Sequence, residues 1–272
     1  MLTQGHNAAH RSLERPLMND WPYPFWIAHR GAGTLAPENT LAAFRLGASH
    51  GYRMFECDAK LSADGIAFLL HDDTLDRTTS ATPASGAEPV AGRHPWQHLL
   101  SLDAGSWHSP AYAGEPLPTL EAVAHFCIAH GYFLNIEIKP TMGTERHTGG
   151  VVAQLAARLW RNTPVPPLLT SFEIAALEGA LAAEPGLPRG LLIHALEDQA
   201  WAQWLAHAKR LQCQAIVCNY ELWDADSVAL AKAAGFRLLS YTVNEAAEVQ
   251  RLIALGTDGV ITDRVDQFHP QS

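Results

Sequence analysis

Eight short apolar runs punctuate this chain and constrain its fold more than any other feature. They are FWIAH (25–29), RMFECD (53–58), YFLNIEIK (132–139), PLLTSF (167–172), GLLIH (190–194), AIVCN (215–219), RLLSYTVN (237–244) and GVITD (259–263). A strand with one wet face alternates apolar and polar residues. These runs are nearly continuous instead, as strands covered on both faces must be. Most of the gaps hold Ala- and Leu-rich stretches with helix stop signals. NTLAAFRLGASHG ends at Gly51, DADSVALAKAAG at Gly235, and NEAAEVQRLIALG is predicted to start at an Asn244 N-cap and stop at Gly256. Strands alternating with helices in this way predict an α/β fold, a (β/α)8 TIM barrel. The alternative is an open doubly wound sheet. A dinucleotide-binding version of it needs a Gly-rich phosphate loop after the first strand, and none is present.

A ninth run, IAFLLHD (66–72), breaks this rhythm. The segment between it and the second strand is too short for a helical crossover. Asp64-Gly65 is a two-residue hairpin signal, which predicts a β-hairpin extension of strand 2. In that register Ala63 faces Ile66, and Asp58 faces His71 on the side shared with Glu56. Cys57 then faces away, into the core. Residues 72–118, rich in Pro, Gly, Ser and Thr, read as a short insertion over the barrel mouth, with helical pieces such as PWQHLL. Its aromatics Trp96, Trp107 and Tyr112 either line the mouth or pack the insertion, and His94, His98 and His108 read as surface residues. Residues 1–20 lack an apolar segment and read as a flexible tail, leaving 21–272 as a single catalytic domain.

Charge and composition narrow the partners. The formal net charge is −9 and no basic stretch exists, which argues against nucleic acid. No apolar run approaches the roughly 20 residues of a membrane helix, and the acidic balance disfavours stable membrane association. Four cysteines without a CxxC pair read as free thiols of a cytoplasmic protein. Nothing in the pattern sets an oligomeric state.

In a (β/α)8 barrel the chemistry sits at the C-terminal ends of the strands. That rule selects His29 and Arg30 after the first strand, and Glu56 and Asp58 on the second with His71 on the hairpin return. It also selects Glu137 and Lys139 on the third, and Asn219 and Asn244 later. Three carboxylates with few evident basic partners cannot crowd together cheaply, and a hard divalent cation, Mg2+ or Ca2+, would relieve the repulsion. Two histidines beside it suit general acid and base roles, and Arg30 and Lys139 suit a phosphate. The set reads as phosphoryl-transfer chemistry.

The pieces IAHRGAGTLAPENTLAAF (27–44), FECDAKLSADGIAFLLHDDTLDRTT (55–79), LPTLEAVAHF (117–126), LNIEIKP (134–140), TSF (170–172), YTVN (241–244) and DGVITD (258–263) carry a resemblance. In this order they resemble the glycerophosphodiester phosphodiesterase family in its short cytoplasmic bacterial form. The resemblance implies a metal-dependent barrel that hydrolyses glycerophosphodiesters to sn-glycerol 3-phosphate and an alcohol. It implies Glu56, Asp58 and Glu137 as ligands of one divalent cation (Mg2+ or Ca2+, with Mn2+ also accepted), and His29 and His71 as the catalytic pair. Arg30, Lys139 and Asn39 of PENT match the substrate- and phosphate-binding residues, with capping of the following helix the alternative role for Asn39. A lysophospholipase D-like action on lysophospholipids is the second activity compatible with the same residues. Tyr241 stands where the family often has Trp, and TDRVD (262–266) replaces a frequent TDYPD at a place expected to lie outside the chemistry.

Overall fold

The structure, a computed structural model, describes residues 21–81, 88–196 and 199–270, so the expected tail at 1–20 lies outside the described residues. All eight apolar runs become strands: β1 (Trp26–Ala28), β2 (Met54–Leu61), β4 (Phe133–Ile138), β5 (Leu168–Ser171), β6 (Arg189–Ile193), β7 (Ala215–Asn219), β8 (Arg237–Tyr241) and β9 (Gly259–Thr262). They pair in parallel around a closed ring, β1 meeting both β2 and β9, with β3 (Ala67–Leu69) added antiparallel outside β2. This is the (β/α)8 barrel. Ile27, Met54, Leu168, Leu192, Val217, Leu239 and Ile261 are buried in its interior, which is a packed core and not a pore. Residues one position along each strand face the helices: Cys57, Leu134 and Leu169 on one side of the barrel, and Leu191, Ile216 and Leu238 on the other. Continuous apolarity in the sequence is this double burial. Among the described residues no helix is long and apolar enough to cross a membrane.

The helix signals hold in kind but not at every end. Helix α1 (Leu41–Ser49) is capped by Thr40, whose hydroxyl accepts from the Ala43 amide at 3.2 Å, which frees Asn39 for another partner. Helix α7 (Ala225–Ala233) starts at an Asp224–Ser227 capping box, and α8 (Ala246–Leu255) ends at Gly256 in the left-handed region. The expected Asn244 cap of α8 is not there. Glu245 holds that position, and the Asn244 amide turns to Asp263, donating to its carboxylate at 3.0 Å and accepting from its backbone N–H at 2.9 Å.

The hairpin forms one residue out of the predicted register. Ala59 faces Leu69, Lys60 faces Phe68 and Leu61 faces Ala67, and the residue opposite Asp58 is Leu70, whose amide donates to the Asp58 carbonyl at 3.0 Å. The loop has three residues, Ala63 to Gly65, with Gly65 at φ +84° as such a loop requires. Ser62 closes it by accepting the Ile66 amide on its hydroxyl at 2.9 Å, while its own amide donates to the Ile66 carbonyl at 2.9 Å. Asp64-Gly65 marked the turn correctly, but Ala63 belongs to it.

The insertion after β3 carries a 3-10 turn at Ala91–Arg93, a helix α2 (Trp96–Leu99) and a second 3-10 turn at Pro110–Tyr112. Leu75, Leu99, Ala104 and Leu117 bury themselves against Phe68 and Leu70 of the hairpin. The segment braces the rim, His108 Nε2 lying 3.0 Å from the Thr34 carbonyl oxygen in the loop after β1. Trp96 packs against Phe68 and Tyr112 against the main core, while Trp107 is exposed and donates from Nε1 to the Ala104 carbonyl at 2.8 Å.

Candidate active site

Strand register builds the acidic group. The parallel pairing of β2 and β4 sets Asp58 beside Glu137 and Glu56 beside Asn135, and alternation turns all of them inward. One carboxylate oxygen from each of Glu56, Asp58 and Glu137 lies within 4.8 Å of the other two. The sequence shows few evident basic partners for these carboxylates, and the structure supplies two. Arg30 Nε lies 3.2 Å from Asp58, and Lys139 Nζ lies 3.0 Å from Glu137 and 3.9 Å from Asp58. Three carboxylates still face two cations, and the electrostatics are uneven. Burial, then the charges of Asp58 and Glu137, push the Glu56 carboxyl well above its ordinary range, and burial beside Asp58 raises Glu137. Asp58 moves the other way: although burial opposes it, Arg30, Lys139, His71 and the Asn39 hydrogen bond hold it below the usual range. Glu56 Oε1 is buried without a partner. An orphaned buried acceptor within a strained carboxylate trio fits a hard divalent cation with oxygen ligands.

The loop after β1 delivers two more groups. His29 extends the strand by one ladder bond, its amide donating to the Thr262 carbonyl at 3.0 Å. Arg30 then sits at φ +50°, an unusual conformation for a non-glycine residue, which aims its backbone N–H at Glu56 Oε2 at 3.0 Å. Gly31 and Gly33 complete the turn at positive φ, and a Cβ on Gly33 would collide with the Asp263 backbone. Asn39, also left-handed at φ +60°, is 2% exposed and spends both ends of its amide on Asp58. It donates to the carboxylate at 2.8 Å and accepts from the backbone N–H at 3.0 Å.

Both histidines are held at Nδ1 by an aspartate. His29 Nδ1 lies 2.6 Å from Asp263, and His71 Nδ1 lies 2.7 Å from Asp72. Asp263 was missed in the sequence, where its segment was placed outside the chemistry. The strand-end rule applied to the last strand would have found it. His71 reaches the site by a route other than the predicted pairing: the chain leaves β3 at Leu69, and His71 lines the same cavity as His29. Asn219 is not drawn in, since its side chain accepts the Glu221 amide at 3.2 Å.

The cavity measures about 220 Å³. His29, Arg30, Glu56, His71, Glu137 and Lys139 form one wall, and Phe172, Leu192, His194, Tyr241 and Ile261 the other. A larger groove of about 320 Å³ runs between the hairpin tip and helices α3 (Leu120–His130) and α4 (Glu145–Leu159), but it holds none of these groups. Chemistry, and not size, locates the site.

Cations, buttressed imidazoles and an acidic trio around so small a space suit a bound anion with proton transfer beside it, and the class they define is that of barrel enzymes cleaving phosphate esters. Comparison with known proteins narrows this. The chain belongs to the glycerophosphoryl diester phosphodiesterase family, which it matches over residues 29–267. It is 30% identical over 237 residues to a glycerophosphodiester phosphodiesterase of Caldanaerobacter subterraneus, covering 87% of this chain and 93% of that one. A phosphodiesterase of Oleispira antarctica, solved in complex with its product sn-glycerol-3-phosphate, superposes with a TM-score of 0.79 at 33% identity, covering 89% and 93% of the two chains. A glycerophosphodiester phosphodiesterase of Agrobacterium tumefaciens superposes with a TM-score of 0.71 at 27% identity, covering 89% and 97%.

Proposed function

We propose that this enzyme hydrolyses glycerophosphodiesters to sn-glycerol 3-phosphate and an alcohol, using one divalent cation held by Glu56, Asp58 and Glu137. The observation that carries the reading is the trio with its unpartnered Glu56 Oε1, set in one cavity with two aspartate-bound histidines. When bound, Mg2+, Ca2+ or Mn2+ would supply charge against the phosphate as the transition state develops. Arg30 and Lys139 hold the phosphate oxygens, and Asn39 keeps Asp58 turned toward the site. With Nδ1–H donated to Asp263 and Asp72, each imidazole offers Nε2 to the cavity for holding or moving a proton. Burial, then the nearby Arg30 and Lys139 charges, lower His71 below its ordinary value although Asp58 opposes them. That direction suits His71 to accepting a proton.

The product found in the Oleispira relative supports the glycerol 3-phosphate half of the substrate. A cavity of about 220 Å³ matches a small polar diester and leaves an acyl chain outside, which favours soluble diesters over lysophospholipids. The four thiols, all unpaired and buried, are in keeping with a reducing cytoplasm. Turnover of glycerophosphocholine, with cation and in chelator, set against lysophosphatidylcholine tests the reading. Cation-dependent release of choline is expected. Preference for the lysolipid would transfer the assignment to the lysophospholipase D reading, and full activity of the metal-stripped enzyme would overturn the cation.

A further inference from the structure

The PENT and DRTT segments contribute two residues that the proposed chemistry leaves unused, Glu38 and Arg77. They meet above the site. Arg77 donates from Nη1 and Nη2 to the two oxygens of Glu38, both at 2.8 Å, and from Nε and Nη2 to the two oxygens of Asp72 at 2.5 and 2.9 Å. Each carboxylate also holds a site residue, through an oxygen it shares with Arg77. Glu38 Oε1 takes Arg30 Nη1 at 2.8 Å, and Asp72 Oδ1 takes His71 Nδ1 at 2.7 Å. The result is one unbroken chain of charge-assisted bonds, Arg30–Glu38–Arg77–Asp72–His71, crossing from the loop after β1 to the loop after β3.

An exposed ion pair ordinarily contributes little, because water screens it and two long side chains must be ordered to make it. Arg77 is 44% exposed, yet it differs from a simple pair in two ways. Both of its partners are engaged bidentately, which a planar guanidinium does and an ammonium cannot. Both partners are also tied inward to residues that face the cavity. Burial opposes it, but the Arg77 bond, Arg30 and the Arg77 charge still hold the Glu38 carboxyl below its ordinary range. The Arg77 bond, against a smaller burial effect and aided by His71, does the same for Asp72. Both therefore stay ionised as acceptors.

We infer that Arg77 is a positioning residue which, through Glu38 and Asp72, sets the Arg30 guanidinium and the His71 imidazole as one unit. The inference rests on the roles proposed above for Arg30 and His71. The two groups sit on separate loops, and Arg77 joins their supports by side chains alone. Its loss releases both at once: the phosphate is held less well, and the proton-transfer group loses its orientation. Displacements of that kind, made away from the reacting atoms, carry large kinetic costs.

The experiment measures kcat and KM with a soluble glycerophosphodiester for Arg77→Ala, Arg77→Lys, Glu38→Gln and Asp72→Asn, with melting temperatures recorded alongside. Arg93→Ala serves as control, removing an exposed guanidinium of the same insertion that pairs with Glu88. Arg77→Ala is expected to lower kcat/KM roughly 10–100-fold through both parameters. Glu38→Gln should act mainly on KM and Asp72→Asn mainly on kcat. Arg77→Lys should recover only part of the loss, and added guanidinium at a non-denaturing concentration should restore part of Arg77→Ala activity where equal sodium chloride does not. Arg93→Ala should match the parent. A purely structural role would lower the melting temperature of Arg77→Ala while its folded fraction kept normal kcat and KM and ignored guanidinium, and that result overturns the inference. Absence of turnover by the parent enzyme would instead overturn the proposed function, so the two failures are distinct.

Discussion

The two walls of the cavity stand on the same architecture and differ in almost everything else. The β1, β2 and β4 side carries His29, Arg30, Glu56, Glu137 and Lys139, while β5, β6, β8 and β9 contribute Phe172, Leu192, Tyr241 and Ile261, with His194 the one imidazole on that side. On the charged wall, neighbours are held by specific bonds and at least one buried oxygen has no partner. On the other wall the side chains pack, with Phe172 and Tyr241 edge to face at 5.8 Å and the Tyr241 hydroxyl bonded to the Ile193 carbonyl at 3.0 Å. A barrel lets one set of strand ends concentrate chemistry because the other set, and the core beneath, holds the fold together.

That contrast is sharpest where a cation is concerned. Asp58→Asn, or chelation of the parent enzyme, is expected to remove activity by about 10³-fold or more, the several-kcal/mol scale of metal assistance to a phosphoryl transition state. Activity assayed with Mg2+, Ca2+ and Mn2+ added back checks it, and recovery is expected for the parent only. Next in size, His29→Ala and His71→Ala should each lower kcat roughly 10²–10⁴-fold while cation affinity measured by calorimetry stays near the parent value. A large loss of affinity in either variant would show that the imidazole acts as a ligand.

The apolar wall should respond in the opposite currency. Leu192, 4% exposed and inside the barrel, is expected to cost roughly 2–5 kcal/mol of stability when changed to Ala, with turnover of the folded fraction much less affected than by either histidine substitution. Denaturant unfolding beside a specific-activity measurement separates the two effects. The smallest expected effect has the opposite sign. Because Glu56 and Glu137 are raised in the folded protein, the native state binds more protons than the unfolded chain between 4.5 and the raised values, so their contribution to stability falls as pH rises through that window. In chelator at neutral pH, Glu56→Gln should therefore melt slightly higher than the parent, and saturating divalent cation should reverse the order. Equal melting temperatures under both conditions would show that the trio carries no such strain.

Much of this enzyme was readable from its residues in order. Continuous apolarity is a local property and reports burial on two faces, so all eight runs became strands. The strand-end rule then reached His29, Arg30, Glu56, Asp58, Glu137 and Lys139, because parity along a strand and its C-terminal end are both visible in one dimension. The hairpin signal added His71, by a register that the structure shifts by one residue, and motif resemblance added Asn39 and the family itself. Tertiary structure alone decided the rest. A hairpin loop of two residues and one of three leave the same Asp64-Gly65 signature, and the Ser62 hydroxyl selected the longer one. Asn244 could cap a helix or hold a carboxylate, and the arrival of Asp263 from the last strand settled it. That Asp263 reaches His29, and that Arg77 joins Glu38 to Asp72, depend on where loops from distant parts of the chain come to rest. Periodicity records which face a residue shows to the core. It carries no record of which atom, many residues away, will stand within hydrogen-bonding distance, and in this protein that second kind of information holds the side chains of the candidate site in place.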